Sequence, residues 1–268
     1  MIFQPLRRLF GTRKEPPAVP RVPEGERYYV IGDIHGRDDL FAALIQAIES
    51  DDAKLGPADT TVILLGDLVD RGPDSAGVID RAIDWGHSRK VRYLAGNHEE
   101  MFLGSFEDTG MLRHFVKHGG RETILSYGID RERYNSLNID ELQAELPHLV
   151  PRAHRDFLND FEEIIVAGDY AFVHAGIDPS KGVDEQTRHD MLWIRDRFLR
   201  HEAPYSHIIV HGHTIFDDVC DNGNRIGIDT GAYRSGRLTA LILEGDTRRW
   251  LSTVDDDGAI TVEETEIT

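Results

Sequence analysis

The sequence predicts an α/β fold with a helical insertion, and three observations lead there. Apolar runs at Tyr28–Ile31, Thr61–Leu65 and Val91–Leu94 lack the alternation of a half-exposed strand and suit strands covered on both faces. Segments with helical spacing separate them, and a strand, helix, strand, helix, strand series calls for parallel, right-handed crossovers. Between residues 100 and 160 the strand pattern stops and only helical apolar spacing remains.

Taken in order, residues 1–25 stand apart as a flexible, proline-rich tail. Met1–Phe10 allows a short amphipathic turn with Arg7 and Arg8 on one side, and Glu15–Pro23 reads as an extended linker. A disordered tail is the first expectation and a weak membrane-surface contact the second. A continuous apolar core and small-residue cleavage site of a secretory signal are both missing from it. Residues 26–268 are read as one catalytic domain.

The first strand, Tyr28–Ile31, ends in Gly32-Asp33-Ile34-His35-Gly36. Leu40, Leu44, Ile45 and Ile48 then lie on one face of a helix over Asp38–Ile48. Thr60–Leu65 is the second strand, with a helix at about Ser75–Trp85 behind it. Val91–Leu94 is the third and ends in Ala95-Gly96-Asn97-His98-Glu99. The insertion of about 100–160 follows, with Pro147 and Pro151 punctuating its later helices. Glu162–Ala167 and Tyr170–His174 form a hairpin about Gly168-Asp169. Met191–Arg200 is expected to be one helix, and Ser206–Val210 a strand ending in His211-Gly212-His213-Thr214. Short antiparallel strands are expected at Val219–Cys220, Arg225–Ile228, Arg237–Leu243, Arg249–Thr253 and Ile260–Glu264, divided by Gly- and Asn-rich turns.

Composition narrows the function classes. At 268 residues the chain can bury a large core, and no apolar run approaches a membrane span. A net charge of −18 argues against nonspecific nucleic-acid binding, so no nucleic-acid partner is expected. One cysteine, Cys220, excludes an internal disulfide framework and fits a reducing compartment, so a cytoplasmic protein is expected. Thirteen histidines direct attention to metal sites.

The rest of the chain is organised around Gly66-Asp67-Leu68-Val69-Asp70-Arg71-Gly72, a buried strand breaking off in two carboxylates and a guanidinium. Gly66 allows a tight turn there and Gly72 relieves the chain beyond it. Alone, this pattern would read as a charged surface turn. Asp33 with His35, Asn97 with His98, His174, and His211 with His213 stand at other strand ends, however. The carboxyl ends of parallel strands converge on one crevice in an open α/β sheet. Mixed carboxylate, imidazole and amide ligands suit Mn²⁺, Fe or Zn²⁺ better than the all-oxygen shells of Mg²⁺ and Ca²⁺. More ligands are present than one ion needs, which points to two ions sharing a carboxylate, an arrangement suited to in-line displacement at phosphorus.

The ordered series GDIHG, GDLVDRG, GNHE, HAG and HGHT resembles the calcineurin-like metallophosphoesterases, over residues 28 to 243. More narrowly it is similar to the bacterial and phage form of the phosphoprotein phosphatases, with Trp193-Ile194-Arg195 and Ile228-Asp229-Thr230-Gly231-Ala232 as further matches. The resemblance implies two β-sheets packed as a sandwich and flanked by helices. It implies that Asp33 and His35 hold one ion, that Asp67 bridges two, and that Asn97, His174 and His213 complete the second. Mn²⁺ is the first expectation, with Fe or Zn as alternatives. His98 matches the general acid, Asp70 its orienting carboxylate, and Arg71 and Arg195 the phosphate-binding arginines, beside which Asn97 also lies. A hydroxide bridging the two ions would be the nucleophile. His211 is expected to be a packed strand-end residue, Glu99 an anchor for the helix behind its motif, and Asp229 either an orienting residue or the cap of a turn.

The substrate implied first is a phosphoserine or phosphothreonine in a protein. A small phosphorylated substrate such as symmetrical diadenosine tetraphosphate is the second, and a non-catalytic scaffold the third. His213-Thr214-Ile215 lacks the second histidine of the GHxH pattern of general phosphodiesterases. The acidic balance of the chain would suit substrates with basic flanks.

Overall fold

Two β-sheets lie face to face with helices outside them in the computed structural model, which describes residues 19–266. The chain runs β1 (Glu26–Ile31), α1 (Asp38–Leu55), β2 (Asp59–Leu64), α2 (Ser75–Ser88) and β3 (Val91–Tyr93). Six helices follow: α3 (Asn97–Gly104), α4 (Thr109–Phe115), α5 (Arg121–Ser126), α6 (Arg131–Ser136), α7 (Ile139–Leu149) and α8 (Arg152–Asn159), with a π-helical turn at Val116–Gly120. Next come β4 (Ile164–Ala167), β5 (Tyr170–Val173), α9 (Arg188–Trp193), α10 (Asp196–Leu199), β6 (Ile208–His211), β7 (Cys220–Asp221) and β8 (Arg225–Gly227). The chain closes with α11 (Ala232–Ser235), β9 (Arg237–Glu244), β10 (Thr247–Asp256) and β11 (Ala259–Glu266).

The first sheet has the order β11-β10-β9-β1-β2-β3 and the second β4-β5-β6-β8-β7. β1, β2 and β3 are parallel, as are β5, β6 and β8. The apolar run in β1 is continuous because both its faces are covered. Tyr28 and Val30 meet Phe172, Val210 and Ile226 of the second sheet, whereas Tyr29 and Ile31 meet Leu40, Phe41 and Leu44 of α1. Each such fully buried side chain contributes about 1.5–3 kcal/mol through removal from water. A third cluster on the outer face of the second sheet joins Ala171, Val173 and Ile209 to Met191 and Phe198. The crevice therefore gathers strand ends from two sheets, where strand-end reasoning alone placed them in one.

Two local expectations are revised. The segment Met191–Arg200 is broken at Ile194 and Arg195, because its two halves pack in different places. Trp193 packs on the first core and its Nε1 donates to Glu100 at 2.7 Å, whereas Phe198 enters the third cluster. Of the expected tail 1–25, residues 1–18 lie outside the described residues. Val22 is buried in the inter-sheet core, and its N–H donates to Gly245 O at 2.9 Å. No helix among the described residues is long and apolar enough to cross a membrane.

Candidate active site

Asp33 and His35 follow β1, Asp67 to Arg71 follow β2, and Asn97 and His98 open α3 behind β3. His174 follows β5, His213 lies just past β6, and Asp229 just past β8. All the carboxylate, imidazole and amide residues in this group are buried. The first two loops are zipped together, with His35 N donating to Asp67 O at 2.9 Å and Gly36 N to Leu68 O at 2.8 Å. His35, Asp67, Asp70, Arg71 and His213 all adopt positive φ, between 46° and 76°. Such left-handed backbone is costly for residues with a Cβ and persists only where the surroundings enforce it.

Close approach accounts for two of the motif glycines. A Cβ on Gly96 would lie 2.2 Å from Asp67 Oδ1, and one on Gly212 would lie 2.1 Å from Asp33 Oδ1. Gly72, by contrast with the sequence reading, does not relieve the chain through an unusual φ. It is required because His35 O passes 2.1 Å from the place of its missing Cβ.

Buried polar side chains hold these loops. Glu99 accepts the N–H groups of Asp67 (2.8 Å), Leu68 (2.7 Å) and Gly96 (2.9 Å), so it fixes the loop after β2 as well as the start of its own helix. Burial, reinforced by the charge of Asp67, pushes its carboxyl pKa up to about 7. Asp70 Oδ2 lies 2.5 Å from His98 Nδ1, while Thr123 Oγ1 donates to Asp70 Oδ1 at 2.7 Å. Thr123 belongs to α5, so the inserted helices help to aim His98.

Asp67 divides its two oxygens. Oδ1 lies 3.4 Å from His174 Nε2, and Oδ2 lies 3.6 Å from His35 Nε2 and 3.9 Å from His98 Nε2. Two donor groups result, His35 with Asp67 and His98, and Asp67 with His174 and His213; within each, ligand atoms lie within 4.8 Å of one another. Asn97 Oδ1 joins the second, 3.0 Å from His174 Nε2. Asp33 belongs to neither group; its carboxylate accepts the His213 N–H at 3.0 and 3.2 Å.

The expected divalent ions fit this donor set. His35 Nδ1 lies 2.7 Å from Val69 O and His174 Nδ1 lies 2.8 Å from Leu65 O, so backbone carbonyls take the Nδ1 protons and each Nε2 faces the carboxylates. His213 Nε2 and Asp229 Oδ2 are buried without a hydrogen-bond partner, which is rare unless a further ligand is involved. Burial, then Asp229 and Asp67, hold the Asp33 carboxyl well above its ordinary range. Burial likewise raises Asp229 to about 6, despite the N–H it accepts from Gly231, with Asp67 adding to the rise. Burial depresses His35, and burial with His174 lowers His213 to about 2. Burial works most strongly against His98 and His174 too, but Asp67 together with Asp70 at His98, and Asp67 together with Glu99 and the Leu65 carbonyl at His174, outweigh it and both are raised. The depressed imidazoles of His35 and His213 and the crowding of Asp33, Asp67 and Asp229 together favour the arrival of positive charge.

Arg71 supplies part of that charge. Its Nη1 lies 2.7 Å from His35 Nε2 and its Nη2 2.9 Å from His98 Nε2. A guanidinium can only donate, so both Nε2 atoms present lone pairs to it. The Tyr233 ring lies beneath this guanidinium, 4.8 Å from Cζ to centroid, and meets the His35 ring edge-on at 5.3 Å. Arg195 is exposed, in the break between α9 and α10, and its charge adds to the depression of His213.

Sequence reasoning gave no site role to Tyr233 or Thr123, and no motif singles either out. His211 packs edge-on against Phe198 at 4.9 Å, and burial lowers its pKa to about 4. It is a packed residue, as expected.

A family model described as calcineurin-like phosphoesterase matches residues 26–237. Serine/threonine-protein phosphatase 2 of Escherichia coli (strain K12) is 28% identical over 219 residues, covering 79% of this chain and 90% of that protein. An asymmetrical bis(5'-nucleosyl)-tetraphosphatase, PrpE of Anoxybacillus flavithermus, is 27% identical over 231 residues, covering 80% of this chain and 89% of that one. Among solved structures, that of a candidate diadenosine tetraphosphatase aligns with a TM-score of 0.57 at 19% identity, over 95% of this chain and 97% of that one, a likeness of fold.

Proposed function

Because the chain belongs to the calcineurin-like phosphoesterases, a family of metal-dependent phosphoester hydrolases, we propose that it removes phosphate from phosphoserine and phosphothreonine in proteins. The observation that carries this reading is the convergence of Arg71 and the His98–Asp70 pair beside the carboxylate Asp67. Asp33, His35 and Asp67 would hold one divalent ion, and Asp67, Asn97, His174 and His213 the other, with Mn²⁺ first and Fe or Zn as alternatives. When bound, the ions supply an activated water and neutralise charge on the phosphoryl oxygens.

The remaining work falls to side chains. Arg71 matches the planar geometry of phosphate oxygens and grips two at once, and Arg195 approaches from the His213 side. When Arg71 turns to phosphate, His98 Nε2 is free to carry a proton. Asp70 fixes the ring through Nδ1, so that proton is aimed at the departing alkoxide. Asn97 stands next to His98, where its amide can meet a phosphoryl oxygen.

A nucleotide phosphoanhydride hydrolase of the symmetrical diadenosine tetraphosphate type is the second reading; the relative named an asymmetrical bis(5'-nucleosyl)-tetraphosphatase, with identity and coverage near those of the phosphatase relative, supports the broader class. Rates on a phosphoserine peptide, diadenosine tetraphosphate and an aryl phosphodiester, measured side by side, separate the two. Chelator treatment is expected to abolish turnover and added Mn²⁺ to restore it. A peptide rate far below the dinucleotide rate would sink the first reading.

Tyr233 is expected to hold Arg71 in place. Tyr233→Ala should raise KM for phosphoserine peptide by about 5- to 10-fold, in keeping with one cation–π contact, while Tyr233→Phe stays near wild type. Loss of kcat alone in the alanine variant would assign Tyr233 another role.

A further inference from the structure

Beside the candidate active site, on the other flank of Arg71, lies a cavity of about 240 Å³ lined by Arg71, Pro73, Glu122, Leu125 and Arg131. Arg71 borders both spaces, since its guanidinium contacts His35 and His98 while its side chain forms part of the cavity wall. The loop after β2 supplies Arg71 and Pro73, and the insertion supplies Glu122 and Leu125 from α5 and Arg131 from α6.

The chemistry of this wall differs from that of the chain. The whole sequence carries −18, yet two of the three charged side chains here are arginines. Glu122 is engaged by its neighbour Arg121 at 3.2 Å, and Arg133, two residues beyond Arg131 in α6, by Glu145. No such pairing holds Arg131 among the described residues. It is exposed at the first position of α6, whose Asp130 cap is occupied with the N–H groups of Glu132 and Arg133. Pro73 and Leu125 add an apolar surface. A compartment with the unpaired guanidinium of Arg131, the side chain of Arg71 and a small apolar wall suits a second anionic group on a short carbon or ribose spacer.

We propose that this cavity is a substrate subsite for a second anion carried close to the scissile phosphate. The inference rests on the phosphatase reading and deepens it. It reverses the expectation that an acidic chain favours substrates with basic flanks, because local charge at the cavity rather than net charge meets the substrate. The second anion could be an acidic residue flanking a phosphoserine or a further phosphate of a dinucleotide, and the test has an arm for each.

The test uses the full chain with Mn²⁺ and compares wild type, Arg131→Ala and Glu122→Gln. Substrates are p-nitrophenyl phosphate, a phosphoserine peptide with an acidic neighbour, its neutral counterpart, and diadenosine tetraphosphate. Arg131→Ala is expected to raise KM for the doubly anionic substrate about tenfold relative to p-nitrophenyl phosphate, as loss of one charge-assisted contact would. Glu122→Gln is expected to move the same ratio the other way. A response confined to the acidic peptide, or to the dinucleotide, supports the subsite and names its source. Ratios unchanged on both, or both variants shifting all substrates alike, would overturn it. Anisotropy of the labelled peptides on a His98→Asn background reads the same difference without turnover. Wild type inactive on every substrate would refute the phosphatase reading, while the binding difference would still decide the subsite.

Discussion

Exchange of Asp67 for asparagine is expected to cut turnover of p-nitrophenyl phosphate by about 10³-fold or more. Asp67 is the residue common to both donor groups, with one oxygen toward His174 and the other toward His35. Even residues that only orient metal ligands typically cost 10–100-fold when changed, and a ligand shared between two ions affects both. Asparagine keeps an Oδ1 to accept the His98 N–H that Asp67 now receives at 3.0 Å. The fold should therefore persist, as an unchanged far-ultraviolet spectrum would verify. Activity within tenfold of wild type in a folded variant would remove Asp67 from the reaction.

His98→Asn should divide substrates by their leaving groups. A serine alkoxide needs a proton as it departs and p-nitrophenolate does not. The peptide rate is thus expected to fall about 10²- to 10⁴-fold and the aryl rate much less. His98 also belongs to a donor group with His35 and Asp67, which offers a competing role as ligand. Metal content distinguishes them: a general acid leaves bound Mn²⁺ unchanged, whereas a ligand takes an ion with it. Equal losses on both substrates together with reduced metal content would end the acid assignment.

Much of this architecture was legible because strands covered on both faces spell continuous apolar runs. Several strand ends then break into glycine and a candidate ligand side chain, as at Gly32-Asp33 and Gly66-Asp67. Residues whose role depends on a distant partner were not legible. Thr123 reaches Asp70 across 53 positions, and Tyr233 meets Arg71 only because two sheets bring α11 beside the loop after β2. The break at Arg195 was hidden since no glycine or proline marks it; it arises because Trp193 and Phe198 are drawn to different cores. Glu99 was seen as a helix anchor, but its bonds to Asp67 and Leu68 depend on the packing of β2 against β3.

The left-handed backbone at His35, Asp67, Asp70, Arg71 and His213 bears on how such a protein can evolve. Each such residue costs on the order of 1–3 kcal/mol, against a total stability of about 5–15 kcal/mol. A chain that concentrates so much strain in one cleft has little slack for drift in the strands that enforce it. Helix α6 fully buries none of its side chains, although Tyr134 packs on the first core, so its exposed positions are free to change. Sequence change in α6, Arg131 included, thus costs the fold far less than change in the cleft.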